Sequence, residues 1–113
     1  MRSIGFIISH KNNEQRRALL PGDLAHIRHR RKVLIEWGYG ESVGYRDREY
    51  VEMGARVVSR QEALGCEVIA DVKLGDADYL DEVTPGRTLF GWAHAVQQVD
   101  FTEACIRGGH TVI

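Results

Sequence analysis

An excess of charge of either sign is missing from this sequence: 15 lysines and arginines stand against 16 aspartates and glutamates, a formal net charge of −1. Such a balance gives no electrostatic reason for a polyanionic partner, so nucleic acid is not expected. The basic run His26-Ile27-Arg28-His29-Arg30-Arg31-Lys32 overlaps a predicted helix end, where cations complement exposed carbonyls, and is read as solvated. Cysteine is scarce as well. Cys66 and Cys105 form no Cys-x-x-Cys pair and have no histidine at metal-ligand spacing, so small buried thiols are expected and no metal site. Neither a basic leader followed by a long apolar run nor a membrane-length apolar stretch is present, and a cytoplasmic protein is expected. Internal repeats, low-complexity tracts and linkers are absent too. With 113 residues there is room for one domain, residues 1–113, around one core.

What is present is an alternation of short apolar runs with helical signals. Residues 4–8 read as a first strand covered on both faces, 33–35 as a second, 56–58 as a third, 68–72 as a fourth, 88–92 as a fifth and 111–113 as the start of another. Between them, Pro21 opens a helix marked by Leu24, Ala25 and Ile27, and Asp47 can cap a helix ending at Gly54. Ser59-Arg60-Gln61-Glu62 has capping-box spacing for a helix to Gly65. A helical turn is expected around residues 77–83, and Asp100-Phe101-Thr102-Glu103 caps a helix that stops at Gly108-Gly109. This pattern predicts an α/β fold, a three-layer α/β/α sandwich on a mostly parallel, Rossmann-like (flavodoxin-like) sheet. Ligands of such sheets bind beyond the carboxyl ends of the strands. The chain stops within an apolar β-like tripeptide, so a continuation is expected.

Three residues follow strand ends and suit a small anionic ligand. Arg16 lies in a polar loop running into Leu19-Leu20-Pro21, where a planar guanidinium can clamp a carboxylate; Arg17 beside it could serve equally well, and a solvated arginine is the simpler reading. Lys73 ends the fourth strand and could pair with a carboxylate or polarise a carbonyl, or else form a salt bridge with Asp71 or Asp76. His94, flanked by Ala93 and Ala95, has small neighbours and an imidazole that titrates near neutrality, features that histidines 10, 26, 29 and 110 lack in combination. The stretch Gly38-Tyr39-Gly40-Glu41-Ser42-Val43-Gly44 departs from the dinucleotide fingerprint in spacing and is read as a tight structural loop.

Taken in order, these segments resemble the N-terminal domain of the alanine dehydrogenase and pyridine-nucleotide transhydrogenase family over nearly the whole chain. Asn12-Asn13-Glu14-Gln15-Arg16-Arg17-Ala18-Leu19-Leu20-Pro21 is similar to the family's N-N-E-x-R-x-A-x-x-P signature, Gly38-Tyr39-Gly40-Glu41 to its G-x-G-E loop, and Ala70-Asp71-Val72-Lys73 to the strand ending in its lysine. His94, in Leu89-Phe90-Gly91-Trp92-Ala93-His94, falls on its catalytic histidine. Within the family, residues 71–80 and 90–97 resemble the carboxyethylornithine synthase branch, whereas alanine dehydrogenases usually carry Lys-Glu-Pro where this sequence has Lys73-Leu74-Gly75.

The resemblance implies substrate-binding roles for Arg16 and Lys73 and a catalytic role for His94. It implies an NAD(P)H-dependent oxidoreductase that condenses pyruvate reductively with the side-chain amine of ornithine or lysine. The alternatives are reductive amination of the alanine dehydrogenase kind, or a non-enzymatic module that senses a 2-oxo acid or amino acid or regulates a partner. NADPH or NADH would sit on a following Rossmann domain or a partner chain, with no cofactor-binding residue in these 113. A homo-oligomer, or a hetero-oligomer with a dinucleotide-binding subunit, is the expected assembly, without nucleic acid or membrane.

Overall fold

The computed structural model describes residues 3–9, 14–74, 77–91 and 99–113. Six strands, β1 (Ile4–Phe6), β2 (Val33–Glu36), β3 (Arg56–Val58), β4 (Val68–Asp71), β5 (Thr88–Gly91) and β6 (Thr111–Val112), form one sheet in the order β3-β2-β1-β4-β5-β6. Every pairing is parallel. Of the two common doubly wound arrangements, this is the Rossmann order, and it reverses between β1 and β4.

The continuous apolar runs in the sequence are explained by burial on both faces. All four residues of β2 are buried, and they alternate between two cores: Leu34 packs with Ile7, Ala63, Leu64, Ile69 and Leu89, while Val33 and Ile35 pack with Phe6, Leu24, Tyr39 and Tyr50. Helices α2 (Arg60–Leu64) and α3 (Val99–Gly108) supply the first layer through Ala63, Leu64 and Cys105; α1 (Asp47–Glu52) and a 3-10 segment, Pro21–His26, supply the second through Tyr50 and Leu24. Three layers result, as the sequence pattern predicts. On the first face the approach is very close. A Cβ added to Gly5 would overlap the carbonyl oxygen of Ala63, so only glycine lets α2 lie directly against β1. Both cysteines are free and buried, and burial pushes both thiols up.

Several elements differ in detail from their sequence signals. The Pro21 helix is a single 3-10 stretch, because Gly22 is a poor helix former, only Pro21 and Leu24 are buried, and the backbone is extended again at Ile27. Leu80–Glu82 is likewise 3-10. Asp47 does not cap α1 but is its first residue, and its carboxylate accepts the Gly38 N–H at 2.9 Å; Glu49 reaches back to the Arg46 N–H at 2.7 Å. Half of the predicted Ser59 box forms: the Ser59 hydroxyl accepts the Glu62 N–H at 3.2 Å, while the Glu62 carboxylate meets that hydroxyl rather than the backbone. No helix among the described residues is long and apolar enough to cross a membrane.

Candidate functional site at the carboxyl edge

The loop that follows β1 is held by aromatic side chains from the opposite layer. Tyr39 and Tyr50 are buried, edge-on to each other, with Phe6 edge-on to Tyr39. Their hydroxyls fasten the loop: Tyr39 accepts the Ala18 N–H at 3.0 Å, and Tyr50 donates to the Leu19 carbonyl at 2.8 Å. Burial, more than anything else, raises the Tyr39 hydroxyl to about 12, so it remains protonated in this role. The stretch at 38–44 closes into a turn and a 3-10 segment, Glu41–Val43, with the Tyr39 ring inside. It does not open a helix directly, as a pyrophosphate cradle does.

The structure separates the two arginines that sequence spacing leaves equivalent. Arg17 is committed inward: Nε donates to the Tyr39 carbonyl at 2.6 Å, Nη1 to the Arg16 carbonyl at 2.8 Å, and its guanidinium lies 5.5 Å over the Tyr39 ring. Arg16 projects outward, with 70% of its side-chain surface exposed. Glu14 grips one side of its fork, Nε at 3.0 Å and Nη2 at 2.7 Å. Among the described residues no group bonds Nη1, on the end-on edge of the fork.

That grip has a pH signature. The hydrogen bond from Arg16 holds the Glu14 carboxyl down from an ordinary 4.5 to about 2, against desolvation, with the Lys73 ammonium adding a weaker pull in the same direction. Because the folded value is depressed, the interaction is fully present above about 4.5 and is lost as pH falls through about 2. A carboxyl-carbon NMR titration is expected to find the Glu14 midpoint near 2; a midpoint at 4.5 would show that the fork is not gripped in solution.

The Lys73 ammonium is near enough for its charge to be felt at Glu14, the carboxylate that grips Arg16. Arg16 follows β1 and Lys73 follows β4, neighbours at the reversal of strand order, with Phe6 opposite Ala70. The salt bridge from Lys73 to Asp71 does not form: Asp71 instead accepts the Lys73 backbone N–H at Oδ1, 2.9 Å, and the Tyr79 hydroxyl at Oδ2. Among the described residues the half-buried Lys73 has no ion-pair partner. His94 and Asp76 lie outside the described residues. β5, which leads toward His94, ends at Gly91 pressed against β4, where a Cβ would overlap the Asp71 carbonyl oxygen.

Two further carboxylates stand at this edge, Glu36, which the sequence reading does not single out, and Asp71, which it gives only as a possible salt-bridge partner of Lys73. Glu36, at the end of β2, is buried and accepts the Ile8 N–H at 2.6 Å and Arg60 Nη1 at 2.9 Å. Arg60 also donates to the Ile8 carbonyl at 3.1 Å and stacks 4.9 Å over the Tyr79 ring. Asp71 is the other, 2% exposed. The signal for both is an acidic residue closing an otherwise apolar buried strand. A cavity of about 530 Å³, lined by Arg60, Gln61, Leu64 and Glu82, opens between α2 and the Leu80–Glu82 turn and includes neither Arg16 nor Lys73.

Residues 8–113 match the family model described as alanine dehydrogenase/PNT, N-terminal domain. The chain belongs to that family. An N(5)-(carboxyethyl)ornithine synthase of Clostridium botulinum is 36% identical over 92 residues, which are 80% of this chain and 28% of that protein. An alanine dehydrogenase of Mycolicibacterium smegmatis is 29% identical over 113 residues, 97% of this chain and 30% of its own length. Among solved structures, an L-alanine dehydrogenase superposes with a TM-score of 0.87 at 32% identity, covering 98% of this chain and 31% of that one. A transhydrogenase from Sinorhizobium meliloti shares the fold, with a TM-score of 0.83 at 22% identity over 95% of this chain and 31% of its own. The chain thus spans less than a third of the length of each of these proteins.

Proposed function

We propose that this family member is the 2-oxo acid-binding part of an NAD(P)H-dependent oxidoreductase of the carboxyethylornithine synthase kind, which condenses pyruvate reductively with the side-chain amine of ornithine or lysine. The observation that supports this reading is an outward Arg16 fork in the segment after β1 together with a Lys73 ammonium, just past β4, that has no ion-pair partner among the described residues; β1 and β4 are neighbours where strand order reverses. A 2-oxo acid presents a carboxylate for the arginine and a carbonyl oxygen that an ammonium polarises. His94 is assigned the proton carrier for addition of the amine and loss of water. The hydride comes from a nicotinamide held on another domain or partner chain, and no residue described here is assigned to it. The likeness to an N(5)-(carboxyethyl)ornithine synthase favours this branch over simple reductive amination of pyruvate. Exposed Phe90, Val112 and Ile113, toward the β6 edge, support an assembly with other chains or domains, and a cytoplasmic setting fits the composition.

Calorimetric titration of the chain with pyruvate tests the reading. Binding to the wild-type chain is expected, weakened roughly 10- to 100-fold by Arg16→Ala, the range for losing charge-assisted hydrogen bonds. Arg17→Ala should lower stability through the Tyr39 loop instead. Failure of the wild-type chain to bind pyruvate, or equal affinity in Arg16→Ala, would sink the assignment.

A further inference from the structure

Asp71 and Lys73 are two residues apart, bear opposite charges and sit at the same strand end, yet they do not form an ion pair. Both carboxylate oxygens of Asp71 already hold other donors. One carboxylate oxygen of Asp71 receives the Lys73 backbone N–H, which fixes the turn after β4. The other receives the Tyr79 hydroxyl. Tyr79 is 1% exposed, and Arg60 lies across its ring, held in turn by Glu36 and the Ile8 carbonyl, so its position is set from β1 and β2 as well as from its own loop. Burial and the neighbouring Asp71 carboxylate push the Tyr79 hydroxyl strongly upward, which keeps the proton on the donor.

We propose that Tyr79 and Asp71 act as a positioning pair: the tyrosine hydroxyl occupies the aspartate oxygen that would otherwise capture the Lys73 ammonium, leaving that ammonium available to ligand. The pair touches no reacting atom and acts only through Lys73. The inference rests on the reading of Lys73 as a 2-oxo acid ligand, but the availability of the ammonium is measurable without any ligand.

The chain has three lysines, Lys11, Lys32 and Lys73, and exposed Lys32 serves as an internal reference. Trace acetylation of the full chain, read by peptide mass spectrometry, gives the Lys73-to-Lys32 labelling ratio. Tyr79→Phe keeps the ring beneath Arg60 and removes only the hydroxyl, so the fold is expected to survive, as circular dichroism would verify. In this variant the ratio is expected to fall several-fold, because the released carboxylate oxygen pairs with the ammonium. In the double variant Asp71→Asn/Tyr79→Phe, which retains an oxygen acceptor for the backbone but no charge, the ratio should return toward the wild-type value. Pyruvate affinity should follow the same order in parallel titrations. If the wild-type chain fails to bind pyruvate while the labelling pattern holds, the proposed function falls and the positioning pair stands. An unchanged ratio in folded Tyr79→Phe, or a reduced ratio that the double variant does not restore, would overturn the proposal; a merely structural tyrosine would lower the melting temperature and leave the ratio alone.

Discussion

Replacing Gly5 with alanine is expected to destabilise the chain by about 3 kcal/mol, from overpacking against a neighbour that cannot yield. The atom met by the new methyl is the Ala63 carbonyl oxygen, part of the α2 backbone rather than the end of a flexible side chain. Relief requires α2 to move off β1, and α2 carries Ala63 and Leu64 of one core and Arg60 of the carboxyl edge. Against a total stability of about 5–15 kcal/mol, typical of a domain, that is a large fraction. In a thermal scan the loss should appear as a drop of roughly 10–20 °C. Gly22→Ala provides the contrast, since a Cβ there meets open space, and its effect should stay within about 0.5 kcal/mol. Similar melting temperatures for the two variants would show that α2 does not press on β1 as described.

The second large effect belongs to Glu36→Ala. This carboxylate is buried and joins three pieces of chain: its own strand, the Ile8 N–H just beyond β1, and the Arg60 guanidinium at the start of α2. Removing it leaves a part-buried cation short of its partner and a backbone donor unsatisfied. Breaking a fully buried pair costs about 3–5 kcal/mol; Arg60 retains a quarter of its side-chain surface in contact with water and keeps the Ile8 carbonyl, so about 2–4 kcal/mol is expected. Glu36→Gln retains an acceptor for Ile8 and should cost clearly less. Urea denaturation curves would measure both, and a loss under about 0.5 kcal/mol for Glu36→Ala would mean that the ion pair is not formed in solution.

The strand assignments show why some features were legible in the sequence and others were not. Apolar runs identify β1, β2, β4 and β5 because burial on both faces removes the need for polar residues, a one-dimensional signal. The 3-10 form of Pro21–His26 is different in kind: it depends on how little of that segment the core draws in, which no local pattern records. The same division runs through the site. Arg16 and Lys73 were identifiable by residue type and by position after a strand, and their motifs carried the family resemblance. Choosing Arg16 over Arg17 needed the Tyr39 carbonyl, which approaches from 22 residues away. Glu36 and Arg60, 24 residues apart, meet only because β2 and β3 bring their carboxyl ends together before α2 begins. Likewise, Asp71 reads as a natural partner for Lys73 until Tyr79 is placed.

The strand order also bears on how the chain reaches this state. β1 is synthesised before the other five strands and ends in the middle of the sheet, with Ile4 opposite Val33 on one side and Val68 on the other. Until both later segments exist, Phe6 and Ile7 have nowhere to hide from water. Parallel pairing across such sequence separations delays the reward for closing each loop, so folding is expected to be slow for a chain of this size. Among the described strands, β6 pairs only with β5, at the rim, and can arrive without disturbing the centre. Nascent chains shorter than β4 should therefore depend on a chaperone holding the first apolar strand, while loss of β6 should fray the sheet only from its outer edge.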